Sequence, residues 1–423
     1  MGYNFFNLQP VKETLELKLC EFISSLGGSV SRGEDITFAD NDITYTLKLQ
    51  NDRIKEKGLE MEYEVYKRKE GQQYFIAASN WQDSHYESTV AFRPCGVKRT
   101  VKKGGRKVYK DHKKSVIYET VTDVITGSHP DNDLICCPNC GAVETIATLQ
   151  NGCSYCGTRY KMDDLFPKVT GYYFLDDPGI DKSDFRLAFF ISWLLSSIFL
   201  FLVSVGALIF NPDRSFSGIV FAFIGSPIIG IILGYFNLSI FLLLRLIIRG
   251  ISTSGKMGTA GSRRKFEAIM KKISPEFSFE YFTSKAISLV KTAIYAKDEQ
   301  ELLFYEGEPL SKDMKDIIDL NYGGALGLER FKEEDGIVTV VTDAFFDVLY
   351  AKDNKIKYKH KFFSATFKRR TDIPVNFNFS MTRIQCPTCG ASFDATKNKF
   401  CPSCGHEYEI ISDDWVLTEV TLI

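Results

Sequence analysis

Cys386-Pro387-Thr388-Cys389-Gly390 is followed by Cys401-Pro402-Ser403-Cys404-Gly405, and the same plan occurs earlier as Cys137-Pro138-Asn139-Cys140-Gly141 with Cys153-Ser154-Tyr155-Cys156-Gly157. Eight of the eleven cysteines are thereby placed in four CxxC pairs, grouped two and two. Each group supplies four thiolates from two knuckles, the number a zinc ion with tetrahedral preference needs to close a structural site. Proline stiffens the start of a knuckle, and glycine accepts the positive φ that turns backbone N–H groups toward sulfur. The register selects Cys137 over Cys136 as the ligand. Two four-cysteine zinc ribbons are therefore expected, at 131–165 and, as an insertion, at 385–410. A redox pair would occur once, on a βαβ unit, and disulfides suit small secreted domains. Met1-Gly2-Tyr3-Asn4-Phe5-Phe6 has neither a basic n-region nor a long apolar h-region, and Phe6 stands where a myristoylation signal wants Ser or Thr. Cys20, Cys95 and Cys136 are read as free buried thiols.

Outward from the cysteines, the 423 residues allow two or three domains, and a net charge of −1 gives no overall attraction to nucleic acid. The average hides a local exception. Leu187 to Phe210 and Ser215 to Leu244 contain no charged residue, and only Asn211-Pro212-Asp213-Arg214 separates them. Each run exceeds the ~20 residues needed to cross a ~30 Å hydrocarbon core. A two-helix transmembrane hairpin is predicted over 185–249. The second run is longer than required, so it must tilt or kink, and Gly225, Pro227 and Gly230 offer the kink. Asn237 is expected toward the far boundary. Ser196, Ser197, Gly206, Gly230 and Gly234 would permit close helix contact. Neither run holds Asp, Glu, His, Lys or Arg, which argues against a proton or ion path through it.

Lys182 and Arg186 precede the first run, and Arg245, Arg249, Lys256, Arg263, Arg264 and Lys265 follow the second, against Arg214 alone in the turn. The positive-inside rule then predicts a multi-pass cell-membrane protein with both flanking parts cytoplasmic. A reducing compartment agrees with thiolates available to zinc.

Residues 1–130 read as an α+β domain. Val11 to Leu26 has helical apolar spacing ending at Gly27-Gly28, and strands are expected at Ile43 to Leu49, Leu59 to Tyr66, Tyr74 to Ala78 and Glu87 to Phe92. The most basic segment follows. Lys98, Arg99, Lys102, Lys103, Arg106 and Lys107, with Lys110, Lys113 and Lys114, surround Gly104-Gly105, and a basic β-hairpin results. It is a solvated charged loop or a contact for anionic lipid head groups, at roughly 1 kcal/mol per basic residue near the surface. Nucleic acid is disfavoured, since only Tyr109 interleaves the run.

Residues 166–184 read as a juxtamembrane linker and 250–264 as a flexible one, rich in Gly, Ser and Thr. Phe279 to Lys297 is amphipathic, with Ser278 as its N-cap. Shorter helical stretches are expected at Asp298 to Tyr305 and Ser311 to Asn321. Strands then follow at Ala325 to Phe331, Ile337 to Ala351, Lys355 to Lys368, Pro374 to Ile384 and Trp415 to Ile423. The second ribbon interrupts this sheet before its last strand. The first half has a similar order, with strands, a ribbon and then apolar Val169 to Leu175, although residue identity is too thin to assert a duplication.

Phe277-Ser278-Phe279-Glu280 opening a helix, its passage into Asp298-Glu299-Gln300-Glu301-Leu302-Leu303, and the closing Asp414-Trp415-Val416-Leu417 resemble the Tim-forty-four-like domain family. The resemblance covers 265–423. It implies a cone-shaped α+β fold, with helices in the mouth of a curved antiparallel sheet, and association with a membrane.

The expected whole is a multidomain α+β membrane protein: a membrane-anchored, zinc-stabilised scaffold that presents cytoplasmic domains to a protein or lipid partner, in an assembly related to transport or translocation. Closed four-cysteine sites leave no open coordination position, which argues against zinc catalysis. The alternative is an enzyme with an acid/base pocket in the C-terminal domain. Asp343 and Asp347 lie four apart on one predicted strand and so share a face, as pocket acids or as surface charges.

Overall fold

A computed structural model describes residues 9–68, 76–128, 130–177, 182–210, 220–254, 260–275, 277–352, 355–373, 380–412 and 414–423. The chain forms two compact units, Met1–Asp177 with Lys256–Ile423, and Pro178–Gly255.

The first unit begins with β1 (Gln9–Pro10), α1 (Glu13–Arg32) and α2 (Asn41–Glu56). β2 (Leu59–Lys67), β3 (Ile76–Gln82), β4 (Tyr86–Lys103) and β5 (Arg106–Val124) follow. A first ribbon holds β6 (Leu134–Cys136), β7 (Val143–Thr145) and α3 (Ile146–Asn151), and α4 (Met162–Leu165) leads to β8 (Lys168–Asp176). The second unit contains α5 (Lys182–Phe210), a π-helical turn (Phe221–Gly225) and α6 (Ser226–Ser254). Returning to the first unit are α7 (Ala260–Ile273), α8 (Phe279–Tyr295), α9 (Lys312–Lys315), β9 (Ile317–Glu334), β10 (Ile337–Lys352) and β11 (Lys355–Arg370). A second ribbon with β12 (Arg383–Gln385) and β13 (Ser392–Asp394) precedes β14 (Val416–Leu422).

The same antiparallel plan occurs twice. β2 and β3 both pair with β4, β4 with β5, and β5 with β8. In the C-terminal half β9 pairs with β10, β10 with β11, and β11 with β14. β2 begins opposite the end of β4 and β3 finishes opposite its start; β9 makes the same journey along β10 in one continuous strand. Helices precede the long strands of each sheet, α1 and α2 in the first half and α7, α8 and the short α9 in the second, and a ribbon is inserted before the last strand of each. The weak echo in the sequence thus corresponds to the same order of strand pairing in both halves.

Each half has its own core. Leu19, Phe22, Leu26 and Leu47 pack on Ala91, Val97, Val101 and Ile117 in the first, joined by Ile318 and Leu349 from the second. In the C-terminal half, Phe282 packs against Trp415 with ring centroids 4.9 Å apart, beside Phe266, Phe277 and Phe367. Ser278 caps α8 by accepting from Tyr281 N. The β4–β5 hairpin turns at Gly104 and Gly105, with φ of 54° and 73°, as a tight turn with two left-handed residues requires.

Several expectations change. Ile43 to Leu49 lies inside helix α2, because Asp40 accepts from Ile43 N at 2.8 Å as its N-cap, and Ile43, Leu47 and Ile54 share a buried face at helical spacing. α1 runs through Gly27-Gly28 to stop at Gly33, φ 75°. Gly27 serves close packing instead, since a Cβ there would lie 2.5 Å from Tyr63 O on β2. Ser311 to Asn321 is helical only over Lys312–Lys315, and Ile317 already belongs to β9. Lys168–Asp176, within the expected juxtamembrane linker, is a sheet strand. The stretch read as a flexible linker is helical to Ser254 and again from Ala260. Residues 374–379 of the expected Pro374 strand, and 211–219 of the turn between the apolar runs, lie outside the described residues.

In the second unit, Phe185–Phe210 and Phe223–Phe241 are helical segments long and apolar enough to cross a membrane. Large apolar side chains such as Leu187, Phe199, Leu202, Ile232 and Phe236 are exposed on them. The irregularity falls where Pro227 predicts it: the π-helical turn ends two residues before this proline, which lacks the N–H of a regular helix. The helices meet closely at Gly234, where an added Cβ would lie 2.7 Å from Trp193 Cα, and at Gly230 against Ser197. Among the described residues nothing lies within 4 Å of such a Cβ at Gly206, which plays no part in this contact. Asn237 bonds across the pair, its Nδ2 donating to Ser196 Oγ at 3.2 Å.

Candidate metal centres

Four knuckles of one geometry build the two centres. Gly141, Gly157, Gly390 and Gly405 have φ between 72° and 75°, and each donates its N–H to the carbonyl of the first cysteine of its pair at 2.8 Å. The first cysteine in turn donates its own N–H to Ala142, Thr158, Ala391 or His406. This pair of backbone hydrogen bonds holds both sulfurs of a pair on one side of the turn.

The sulfurs of Cys137, Cys140, Cys153 and Cys156 lie within 4.8 Å of one another, as do those of Cys386, Cys389, Cys401 and Cys404. Cross-knuckle separations are 3.7 Å for Cys137–Cys156 and Cys140–Cys153, and 3.6 Å for Cys386–Cys404 and Cys389–Cys401. A disulfide requires about 2.05 Å. Four sulfurs about 2.3 Å from a central zinc stand about 3.8 Å apart along each tetrahedral edge. Both clusters could hold a metal ion, and four sulfurs fill a tetrahedral shell. Tyr160 OH lies 3.6 Å from Cys137 Sγ and Thr158 Oγ1 lies 3.4 Å from Cys156 Sγ, where each hydroxyl can orient and stabilise a thiolate.

Each ribbon is tied to the body. Ile135, Ile146, Leu149 and Phe166 pack with Tyr86 of β4 around the first, and Phe393, Tyr408 and Ile410 belong to the C-terminal core. The ribbons also touch each other: Val143 N donates to Ser392 Oγ at 3.0 Å, and Ser392 N donates to Tyr155 OH at 3.3 Å. Cys136 falls outside the cluster and is half-buried, as is Cys20, which accepts from Arg93 Nη1 at 3.3 Å. Among these three remaining thiols only Cys95 is buried, and burial pushes its pKa up to about 12.

The basic hairpin divides. Lys98 pairs with Glu64 at 3.0 Å and Lys102 with Glu62, while Lys103, Arg106 and Lys107 are exposed. Arg99 cannot reach a lipid surface: it is buried against Asp111 and, across the two halves, Asp319. Burial works against its charge, but Asp319 and Asp111 outweigh it and raise its pKa.

Asp343 and Asp347 are both buried, on the β10 face opposite the C-terminal core. Asp343 Oδ1 has no hydrogen-bond partner among the described residues. Asp347 faces His360 Nδ1 at 2.6 Å and accepts from Lys113 Nζ of the N-terminal half at 3.0 Å. Lys113 also bonds Tyr358 OH. His360 lies directly opposite Asp347 in the β10–β11 register. The sequence signal was the strand pairing, whereas Lys113 comes from a remote hairpin. Lys285 of α8 is another link, 2.9 Å from Asp414 and 3.7 Å from Asp42 of α2, and Asp42 also accepts from Met381 N.

Comparison with family models, curated proteins and solved structures returned no match to this chain.

Proposed function

We propose that this chain is a membrane-anchored scaffold whose two ribbons are closed structural zinc sites. The observation carrying this reading is the pair of four-sulfur clusters at tetrahedral spacing, side by side in one α+β unit and in the same chain as a long apolar helix pair. A filled sulfur shell leaves no position for water or substrate, so the metal stabilises the ribbons rather than reacts. The knuckles and exposed side chains such as Tyr155 form a surface for a protein partner. The helix pair is read as the anchor and the flanking parts as cytoplasmic, supported by the lysines and arginines that bracket the runs. Residues 265–423 are read as Tim-forty-four-like, supported by helices followed by a four-stranded antiparallel sheet. Lys103, Arg106 and Lys107 are the hairpin side chains proposed to meet anionic lipid, and the wider setting is a transport or translocation assembly.

Metal analysis of purified full-length chain should return two zinc ions per chain. The chain should also stay in the membrane fraction through carbonate washing. Another stoichiometry or release by carbonate would refute the respective half of the reading. Affinity capture from solubilised membranes would then name the partner.

The second reading, an acid/base enzyme, draws on Asp347 beside His360 and Lys113. It requires a substrate to reach this partly exposed cluster, and loss of turnover in His360→Gln would be its mark.

A further inference from the structure

A cavity of about 70 Å³ lies between the two like halves, walled by α2 and β8 from the first and by α8 and β9 from the second. That exceeds the roughly 10–15 Å³ that a single water requires, so there is room for a small ligand. Its walls are mostly apolar, with Ile43, Leu47 and Ile287 on the helical side. One basic residue lines it, Lys291, whose Nζ lies 5.2 Å from the centroid of the Tyr172 ring. Among the described residues Lys291 has no hydrogen-bond or ion-pair partner. Asp319 also lines the cavity, but it accepts from Arg99 at 2.6 Å and from Gln50 at 2.9 Å. Tyr172 and Ser288 line the same space, and among the described residues neither hydroxyl has an assigned partner. Burial lowers the Lys291 amine to about 8, opposed by Asp319.

An ammonium half-buried against mostly apolar walls, with no counter-ion at ion-pair distance among the described residues, is stabilised when something anionic meets it. We propose that this cavity binds a small organic carboxylate, with its charge on Lys291 and the hydroxyls of Tyr172 and Ser288, and its carbon chain against Ile43, Leu47 and Ile287. One cation matches one carboxylate, whereas a phosphate dianion calls for more donors than one ammonium and neutral hydroxyls supply. Aliphatic walls add the preference for a short chain. Because both halves contribute walls, the ligand joins them. This site is independent of the ribbons and of the scaffold reading.

The test uses full-length chain in nanodiscs with sodium butyrate as probe, followed by saturation-transfer NMR and thermal unfolding. Butyrate should bind saturably and raise the melting temperature, while n-butylamine and inorganic phosphate should not. Lys291→Met should weaken butyrate at least tenfold while its ligand-free form melts at or above the parent. Ser288→Ala, which removes only a hydroxyl, should weaken it about threefold and serves if Lys291→Met does not fold. Absence of butyrate binding, equal binding in the variants, or preference for phosphate would overturn the proposal.

Discussion

Arg99 Nη1 of β4 donates to Asp319 Oδ2 of β9 at 2.6 Å, across the boundary between two halves built on one plan. Asp111 holds the other side of the guanidinium, its Oδ1 accepting from Arg99 Nε at 3.1 Å. The side chains of Arg99 and Asp319 are only 5% and 10% exposed, so the pair is largely withdrawn from solvent.

Removing one member of such a pair leaves the other buried and uncompensated, which costs about 3–5 kcal/mol. Asp319→Asn should therefore lower the stability of the full-length chain by that order in chemical denaturation. Arg99→Met combined with Asp319→Leu and Asp111→Asn, which leaves neither carboxylate without its cation, should recover much of the loss. Equal effects of the single and combined changes would remove this pair from the account of how the halves are held.

Asp347 adds a pH dependence of known sign. Burial alone would raise its pKa, but the Lys113 ammonium, Tyr358 and His360 together hold it below the ordinary carboxylate value. A depressed folded pKa contributes stability that is fully present above the unfolded value, about 3.9, and is lost as pH falls through the lower folded value. Asp347→Asn should be less stable than the parent at neutral pH, and the difference should close on acidification below about pH 4. A gap that persists into strong acid would assign the effect to packing instead.

Metal loss should be felt beyond the ribbon. Structural zinc supplies on the order of 10–16 kcal/mol of folding free energy in small modules, and the second ribbon lies between β11 and its partner β14. Cys404→Ser should reduce the bound metal from two ions per chain to one and loosen Trp415 from Phe282. Metal analysis, near-ultraviolet circular dichroism and proteolysis between β11 and β14 would read this. Unchanged protection of that segment would show that the C-terminal core holds the ribbon without metal.

In the apolar helix pair, Gly234→Val places carbon atoms where Trp193 Cα already lies. Overpacking of this kind costs about 1–3 kcal/mol. Gly206→Val, where none of the described residues crowds the position, should be close to neutral. Melting temperatures of the two variants in nanodiscs compare the positions directly.

The ribbons and apolar helices were legible because their signals are local: a knuckle needs two cysteines and a glycine a few residues apart, and a spanning helix needs an uninterrupted apolar run. α2 was not legible as a helix, because Ile43, Tyr45 and Thr46 favour a strand by themselves and only the Asp40 cap and the core above β4 favour the helix. For the acid pair, alternation placed Asp343 and Asp347 on one face but was silent about what covers it. Lys113 and His360 arrive there through a hairpin and a strand register.

By itself, then, the sequence determined the composition of the two cysteine sets, the insertion of the second before an apolar strand, and the two apolar runs, since each depends on neighbours along the chain. Only the tertiary structure decided that the two halves repeat one topology, that Arg99 is a buried tie rather than a surface charge, and that Lys291 lines a cavity between them. Those properties are pairings between residues far apart in sequence, and burial and charge compensation acquire values only once the sheets and helices have closed upon one another.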